Sequence, residues 1–357
     1  MSEKFKTTAL LVTGGAGFIG SNFIRDFLDR NPGVRLINLD LLTYAGNLEN
    51  LADVESNPDY RFVRGDINNA AVVRELLTVE QVDAIVHFAA ESHVDRSITG
   101  PEIFVKTNVL GTQTLLEEFR KHRDTAGKDM RFVHVSTDEV YGTLGATGYF
   151  TETTPLAPNS PYSASKAGSD LLARAYFETY GLPVMITRCS NNYGPYQFPE
   201  KLIPLIISNI LNNRALPVYG DGKNIRDWLH VSDHGKAVEA VLKNGIPGEV
   251  YNVGGWNEWQ NIDIVHLLCD LMDGRLGRSS GESRKLITFV KDLLGHDRRY
   301  AIDANRIKDA LGWTPDHTFE QGIAETVDWY LANREWIEHV TTGAYRDYYQ
   351  AHYGENL

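Results

Sequence analysis

An apolar run over residues 9–13 leads directly into Gly14-Gly15-Ala16-Gly17-Phe18-Ile19-Gly20, and an amphipathic run follows over 21–30. Strand, glycine turn and helix in that order open a dinucleotide-binding βαβ unit, and no other stretch of the chain restricts the fold as much. The glycines fit two spacings, Gly14/Gly17/Gly20 and Gly15/Gly17/Gly20. They permit a tight turn, a close approach of backbone to pyrophosphate and close packing of helix on strand. The first helical turn then offers unpaired N–H groups and the positive end of the helix dipole to an anion. A second apolar run, 34–39, ends at Asp40. An acid at that distance from the glycine turn accepts the hydroxyls of an adenosine ribose and repels a 2′-phosphate, so NAD rather than NADP is expected.

Strand-like runs recur at 61–63, 83–88, 131–136 and 183–188, between helix-favouring stretches at 70–77, 107–120 and 162–180. This alternation predicts an α/β fold, a Rossmann-type doubly wound parallel sheet with right-handed crossovers. The segment 190–195 reads as a turn at a strand end, followed by an apolar helix at 203–211, a strand and tight turn over 217–222, and the mixed segment 226–231. From about residue 261 the alternation weakens. Helices are expected at 263–270, 319–332 and 334–339, a strand at 286–290, and a mobile, glycine- and serine-rich loop over 274–283. The domains expected are an NAD-binding unit over 1–190 with a return segment near 231–260, and a smaller C-terminal substrate-binding domain made of 191–230 and 261–357.

Catalytic chemistry concentrates in two short stretches. Thr137-Asp138-Glu139 follows the 131–136 strand, at the end that faces the ligand crevice of an open α/β sheet. Tyr162 and Lys166 are four apart in a helix-favouring run and share one helix face. A phenol is a poor base at neutral pH, and a neighbouring ammonium is expected to lower its pKa. Asp66, just after the third strand, suits either an adenine contact or a cap on the following helix. An Asn191-Asn192 pair fits ligand binding or turn stabilisation, the latter favoured by composition.

Other chemistries find less support. The net charge of −12 opposes a nucleic-acid backbone, and 42% apolar residues imply a sizeable core. Two cysteines without paired spacing give no disulfide framework or thiolate zinc site. No signal peptide or membrane-length apolar run is visible, so a cytoplasmic protein without membrane contact is expected. His230 and His234 with Asp227 lack a further ligand at metal-binding spacing, and no G-x-S-x-G elbow surrounds Ser136 or Ser163. No metal is expected.

With these residues in view, the chain resembles the nucleotide-sugar 4,6-dehydratases of the extended short-chain dehydrogenase/reductase superfamily. The likeness rests on the glycine motif with Tyr162 and Lys166, and on the segments 42–47, 90–97, 136–142, 190–195, 226–231 and 295–303. The Asp138-Glu139 pair distinguishes this group from related epimerases. The resemblance implies a lyase (a hydro-lyase) acting on dTDP-glucose: NAD-mediated oxidation at C4, loss of water across C5 and C6, and reduction at C6. It implies Thr137, Asp138, Glu139, Tyr162 and Lys166 as catalytic residues. It implies Phe18, Ile19, Asp40, Thr43, Asp66, Ile67, Ala90, Thr107, Tyr162, Lys166 and Asn192, with the glycines, as the NAD site. Ser92, Thr137, Asn191, Lys201, Leu202, Tyr219, Arg226, Asn261, His296 and Tyr300 are implied for the sugar nucleotide. It also implies deoxysugar biosynthesis and a homodimer built on the helices near 107–120 and 162–180. The competing readings are an NAD-dependent nucleotide-sugar C4 epimerase, a 4,6-dehydratase for another nucleotide sugar, and a catalytically silent NAD-binding regulator.

Overall fold

The structure, a computed structural model, describes residues 4–292 and 297–341. Its main layer is a seven-stranded sheet of β1 (Ala9–Thr13), β2 (Arg35–Asp40), β3 (Tyr60–Arg64), β4 (Ala84–His87), β5 (Arg131–Thr137), β6 (Val184–Cys189) and, later in the chain, Val250–Val253. The spatial order is β3-β2-β1-β4-β5-β6 followed by Val250–Val253, and every neighbouring pair is parallel. The order reverses beside β1, which makes the crevice between β1 and β4 the topological switch point.

Both faces of the sheet are covered, as apolar runs in parallel strands require. Phe23, Ile24 and Phe27 of α1 (Phe18–Arg30) pack on one face with Ala237, Val238 and Val241 of the helix Val231–Asn244. The other face takes Val73, Leu76 and Leu77 of α2 (Ala70–Val79). Two short helices, α3 (Val94–Thr99) and α4 (Glu102–Phe104), precede a π-helical stretch over Val105–Gly111. That stretch runs into α5 (Thr112–Ala126), whose Leu115, Leu116 and Phe119 complete the same face with Ala173 and Tyr176 of α6 (Pro161–Tyr180).

The sequence predicts an ordinary helix from Thr107, and the wider π turn is the difference. It carries Asn108 inward, where its amide accepts from Glu91 N (2.8 Å) and donates to Glu91 O (3.0 Å) and Ser165 Oγ (2.8 Å). Such π turns concentrate at functional sites.

Past β6 the chain builds a second core. Its first elements are β7 (Asn191–Tyr193), α7 (Leu202–Leu211), β8 (Leu216–Tyr219) and β9 (Ile225–His230); the chain then returns to the large sheet through α8, the helix Val231–Asn244 already described. The strand Val250–Val253 is β10, followed by β11 (Glu258–Gln260), α9 (Asn261–Leu276), β12 (Ile287–Val290), α10 (Asn305–Leu311), α11 (Phe319–Ala332) and α12 (Arg334–Val340). Ile206, Ile207, Trp228, Leu268, Phe319 and Ile323 pack at its centre. Ile307 and Trp313, by contrast, pack into the core of the large sheet.

Two expectations change here. Residues 191–193 are a strand, not a turn, because they pair in parallel with Trp228–His230 of β9. The expected loop 274–283 begins inside α9, which ends at Gly277 in the left-handed conformation (φ 65°). Beyond it the Asp273 carboxylate accepts from Ser283 N and Oγ, which gives the segment a defined course. Among the described residues, no helix is long and apolar enough to cross a membrane.

Candidate active site

A cavity of about 420 Å³ opens at the carboxyl ends of the central strands. Gly14, Gly17, Phe18, Ile19, Gly20, Asp40, Thr43, Asp66, Ile67, Ala90, Thr107, Tyr162, Lys166 and Asn192 all line it. Gly14 turns at φ +73°, and a Cβ there would lie 2.6 Å from Ala89 Cα. A Cβ on Gly20 would lie 2.4 Å from the Gly14 carbonyl oxygen. No side chain caps α1, so its first N–H groups remain for an anion, at residues that wall the cavity. These features fit the pyrophosphate of a dinucleotide. Asp66 does not cap α2; Asn69 does, through Ala71 N, while Asp66 accepts from Asn68 N.

Asp40 is held from both sides, by Ala16 N (2.9 Å) and Leu42 N (2.8 Å). Burial raises its pKa and these two N–H groups oppose the rise. Its fixed carboxylate would accept ribose hydroxyls but oppose a 2′-phosphate. Direct titration should therefore show NAD+ binding at least about tenfold more tightly than NADP+, a like-charge penalty of roughly 1.4 kcal/mol or more. Tighter NADP+ binding would remove this role from Asp40.

Thr137, Asp138, Glu139, Tyr162 and Lys166 line the same cavity. β5 ends at Thr137, whose Oγ1 accepts from Glu139 N (3.3 Å) and starts a tight 3₁₀ turn. The turn places two consecutive carboxyl groups at the cavity wall. Asp138 is 1% exposed, and among the described residues its Oδ2 has no hydrogen-bond partner. Burial, then the charges of Glu139 and Asp227, hold it well above the usual carboxyl range. Burial raises Glu139 also, but Arg226 and Lys201 pull it back. The pair is thus electrostatically unequal: Asp138 is raised well above the carboxyl range, whereas the charges of Arg226 and Lys201 limit the rise at Glu139.

Ser160 and Ser163 form a capping box at the start of α6, with Pro161 in the first turn, and Gly181 ends the helix at φ 59°. Tyr162 and Lys166 therefore project from the first turns onto β5, and Lys166 Nζ donates to Val135 O (2.8 Å). The expected lowering of the Tyr162 pKa is not found. Burial, then the negative charge of Glu139, holds the phenol well above 10, opposed by a hydrogen bond with Thr137.

Of the residues implied for a sugar nucleotide, Ser92, Thr137, Asn191 and Lys201 line this cavity. Leu202, Tyr219, Arg226, Asn261 and Tyr300 lie outside its wall, and His296 falls outside the described residues. Arg226 stacks over the Tyr300 ring (4.4 Å) and donates to Asp297 O (2.8 Å), while the Tyr300 hydroxyl donates to the Asp297 carboxylate.

Sequence reasoning missed Glu200, a 7% exposed carboxylate in the cavity wall with Arg96 Nη2 at 3.6 Å. Its signal was available: an acid directly before Lys201, flanked by prolines and apolar residues. The two histidines are structural. His234 Nδ1 bonds Asn192 Oδ1 (2.9 Å), His230 Nδ1 bonds Ser232 Oγ (2.8 Å), and among the described residues no three groups are arranged to hold a metal.

Comparison with known proteins agrees with this geometry. The family model for GDP-mannose 4,6 dehydratase matches residues 11–326. A dTDP-glucose 4,6-dehydratase of Xanthomonas campestris pv. campestris (strain B100) is 60% identical over 341 residues, covering 94% of this chain and 97% of the relative. The dTDP-glucose 4,6-dehydratase 1 of Escherichia coli (strain K12) is 52% identical over 357 residues, covering 96% and 98%. Among solved structures, a dTDP-glucose 4,6-dehydratase of Bacillus anthracis in complex with NAD superposes with a TM-score of 0.85 at 51% identity, covering 94% of this chain and all (100%) of that one. A UDP-glucose 4-epimerase of Thermotoga maritima superposes at 0.80 with only 26% identity, covering 91% and 99%. The epimerase shares the fold, but the identity lies with the dehydratases, and the chain belongs to the GDP-mannose 4,6 dehydratase family within the extended short-chain dehydrogenase/reductases.

Proposed function

We propose that the chain is an NAD-dependent hydro-lyase that converts dTDP-glucose to dTDP-4-keto-6-deoxyglucose. The observation that carries this reading is the unequal carboxyl pair, Asp138 raised well above the usual range and Glu139 raised less because Arg226 and Lys201 oppose its burial, on the same cavity wall as Tyr162 and Lys166. When bound, NAD supplies the acceptor for the hydrogen leaving C4 and its donor back to C6, and its cationic ring adds to the charge of Lys166. Tyr162 takes the proton of the 4-hydroxyl, and Thr137 hydrogen-bonds the oxygen at C4. The 4-ketone acidifies the C5 proton, which Glu139 removes as a carboxylate. Asp138, kept protonated by burial, delivers its proton to the departing 6-hydroxyl, and water leaves. Because the cofactor returns to its starting state, no second redox substrate is needed. Arg226 suits the nucleotide's pyrophosphate, since a guanidinium offers a fork of donors.

Two coarser features accompany this reading. Residues 1–190 with 231–260 act as the NAD-binding unit, and 191–230 with 261–357 hold the sugar nucleotide; the separate core beyond β6 supports the division. The enzyme works as a cytoplasmic homodimer. Supporting the dimer are Ile103, Val105 and Leu110 ahead of α5 and Leu171 and Tyr180 on α6, large apolar side chains 46–58% exposed on neighbouring helices.

Incubating the purified protein with dTDP-, UDP- and CDP-glucose tests the reading. A 4-keto-6-deoxy product, lighter by one water, is expected with dTDP-glucose. A product of unchanged mass would mean epimerisation, and a preference for another nucleotide would move the substrate.

A further inference from the structure

Beneath the acid–base wall lies a layer of polar side chains that the reaction scheme does not use. It runs across the sheet on the face covered by α5 and α6, and strand register sets its order. Thr13 pairs with His87 and His87 with His134, while Ser136 pairs with Arg188 and Arg188 with Asn252. His87 bonds Thr13 Oγ1 (2.7 Å) and Thr112 Oγ1 (2.9 Å). Arg188 Nη1 donates to Tyr141 OH (2.9 Å), which donates to Asn252 Oδ1 (2.7 Å).

At the centre is Asp170, 1% exposed, on α6 one turn beyond Lys166 and two beyond Tyr162. Its carboxylate meets Arg188 Nε (2.8 Å) and His134 Nε2 (3.3 Å). Residues 162, 166 and 170 thus form one buried stripe along the helix, against strands that contribute His87, His134, Arg188 and Cys189.

Resting on the reading of Tyr162 and Lys166 above, we propose that Asp170 is a positioning residue for the reaction: it is the buried counter-charge that keeps Lys166 an ammonium beside Tyr162. The charges around Lys166 leave it little other support. Burial pushes its pKa down to about 8, and Asp170, ahead of Cys189, opposes the fall. His87 and His134 are lowered, chiefly by burial, and stay neutral. Burial keeps Cys189 a thiol, its pKa pushed up to about 12. Burial would raise Asp170 also, but the neighbouring His134 ring and the Arg188 charge bring it down to about 2, so it is ionised throughout the working range. The charge of Glu139, just beyond the end of β5, acts on the Tyr162 phenol and holds it up. Lys106 of the π-helical stretch and Lys201 add further cations to the cavity wall. Arg188 holds the Asp170 carboxylate directly, and its positive charge offsets part of what Asp170 offers Lys166 one helical turn away.

The sign of the pH effect follows. The active form carries Lys166 protonated, so kcat/KM falls as pH rises through its pKa. Asp170→Asn should move that basic limb down by about one pH unit or more, the size of a lost neighbouring opposite charge. Arg188→Gln should move it up, because Asp170 then serves Lys166 alone. A layer with a purely structural role would lower thermal stability in both variants and move neither limb. Unmoved limbs, or limbs moved in the same direction, overturn the proposal. Should Asp170→Asn fail to fold, the upward shift in Arg188→Gln decides. The parent enzyme must itself show a basic limb; a rate flat to about pH 10, near the ordinary lysine value, overturns the proposal without any variant. Tyr162→Phe separates the two levels of argument. Full activity there removes the acid–base reading, whereas its loss with unmoved limbs in Asp170→Asn and Arg188→Gln removes only the role of Asp170.

Discussion

Replacing Tyr162 with Phe should lower turnover of dTDP-glucose by about two to four powers of ten, the usual range for a lost general acid–base group. The substitution removes one oxygen and keeps the ring, which packs edge-on against Phe104 (centroids 6.4 Å apart). The fold and the cavity should therefore survive, and affinity for the sugar nucleotide should change little. The defect belongs in the first chemical step, because abstraction of the 4-hydroxyl proton accompanies oxidation at C4. Single-turnover mixing should show oxidation itself slowed, with no accumulation of reduced cofactor. Near-parental turnover would exclude Tyr162 as the base. The phenol's raised pKa sharpens the test. A phenol held above its ordinary value keeps its proton until the chemical step, so the pH dependence of the parent should follow the loss of the Lys166 proton rather than a prior ionisation of Tyr162.

The parts of this architecture legible in the sequence are those fixed by local chemistry. Gly14, Gly17 and Gly20 mark a turn that side chains would block, and Asp40 ends a strand. Each signal spans a few residues and is decided within them. The features that were misread depend on partners far away in the chain. The segment 191–193 has turn-forming composition, yet it becomes a strand because Trp228–His230 lies beside it. The start of α5 is π-helical where Asn108 reaches Glu91 and Ser165. The pKa of Tyr162 could be reasoned only from its nearest charged neighbour in the helix, and that neighbour proved weaker than burial and Glu139. For the same reason the polar layer around Asp170 was invisible. Its members lie on five different strands and on α6, and only the register aligns them.

The two halves of the reaction should separate at Asp138 and Glu139. Oxidation at C4 needs Tyr162, Lys166 and Thr137 but neither carboxyl group, whereas elimination needs a base at C5 and an acid at C6. Glu139→Gln keeps the side-chain volume and removes the base. Asp138→Asn keeps a polar group at a fully buried position and removes the transferable proton. Both variants should still bind the sugar nucleotide and oxidise it at C4. Water loss should then slow by about two to four powers of ten, so absorbance of the reduced cofactor should build up where the parent shows little. The two should differ in one respect: Glu139→Gln should suppress exchange of the C5 proton with solvent deuterium, and Asp138→Asn should affect it less. That asymmetry follows from the environments. Arg226 and Lys201 favour the carboxylate at 139, whereas burial and the negative charges of Glu139 and Asp227 favour the acid at 138. Removing a negative charge at 139 should also ease the ionisation of Asp138, so the double variant should not be the sum of the singles. If the pair merely capped a turn, both variants would lose some stability and dehydrate the sugar at the parental rate without stalling. Parental dehydration in both would withdraw the acid and base assignments, and with them the chemical reason for reading this fold as a dehydratase rather than an epimerase.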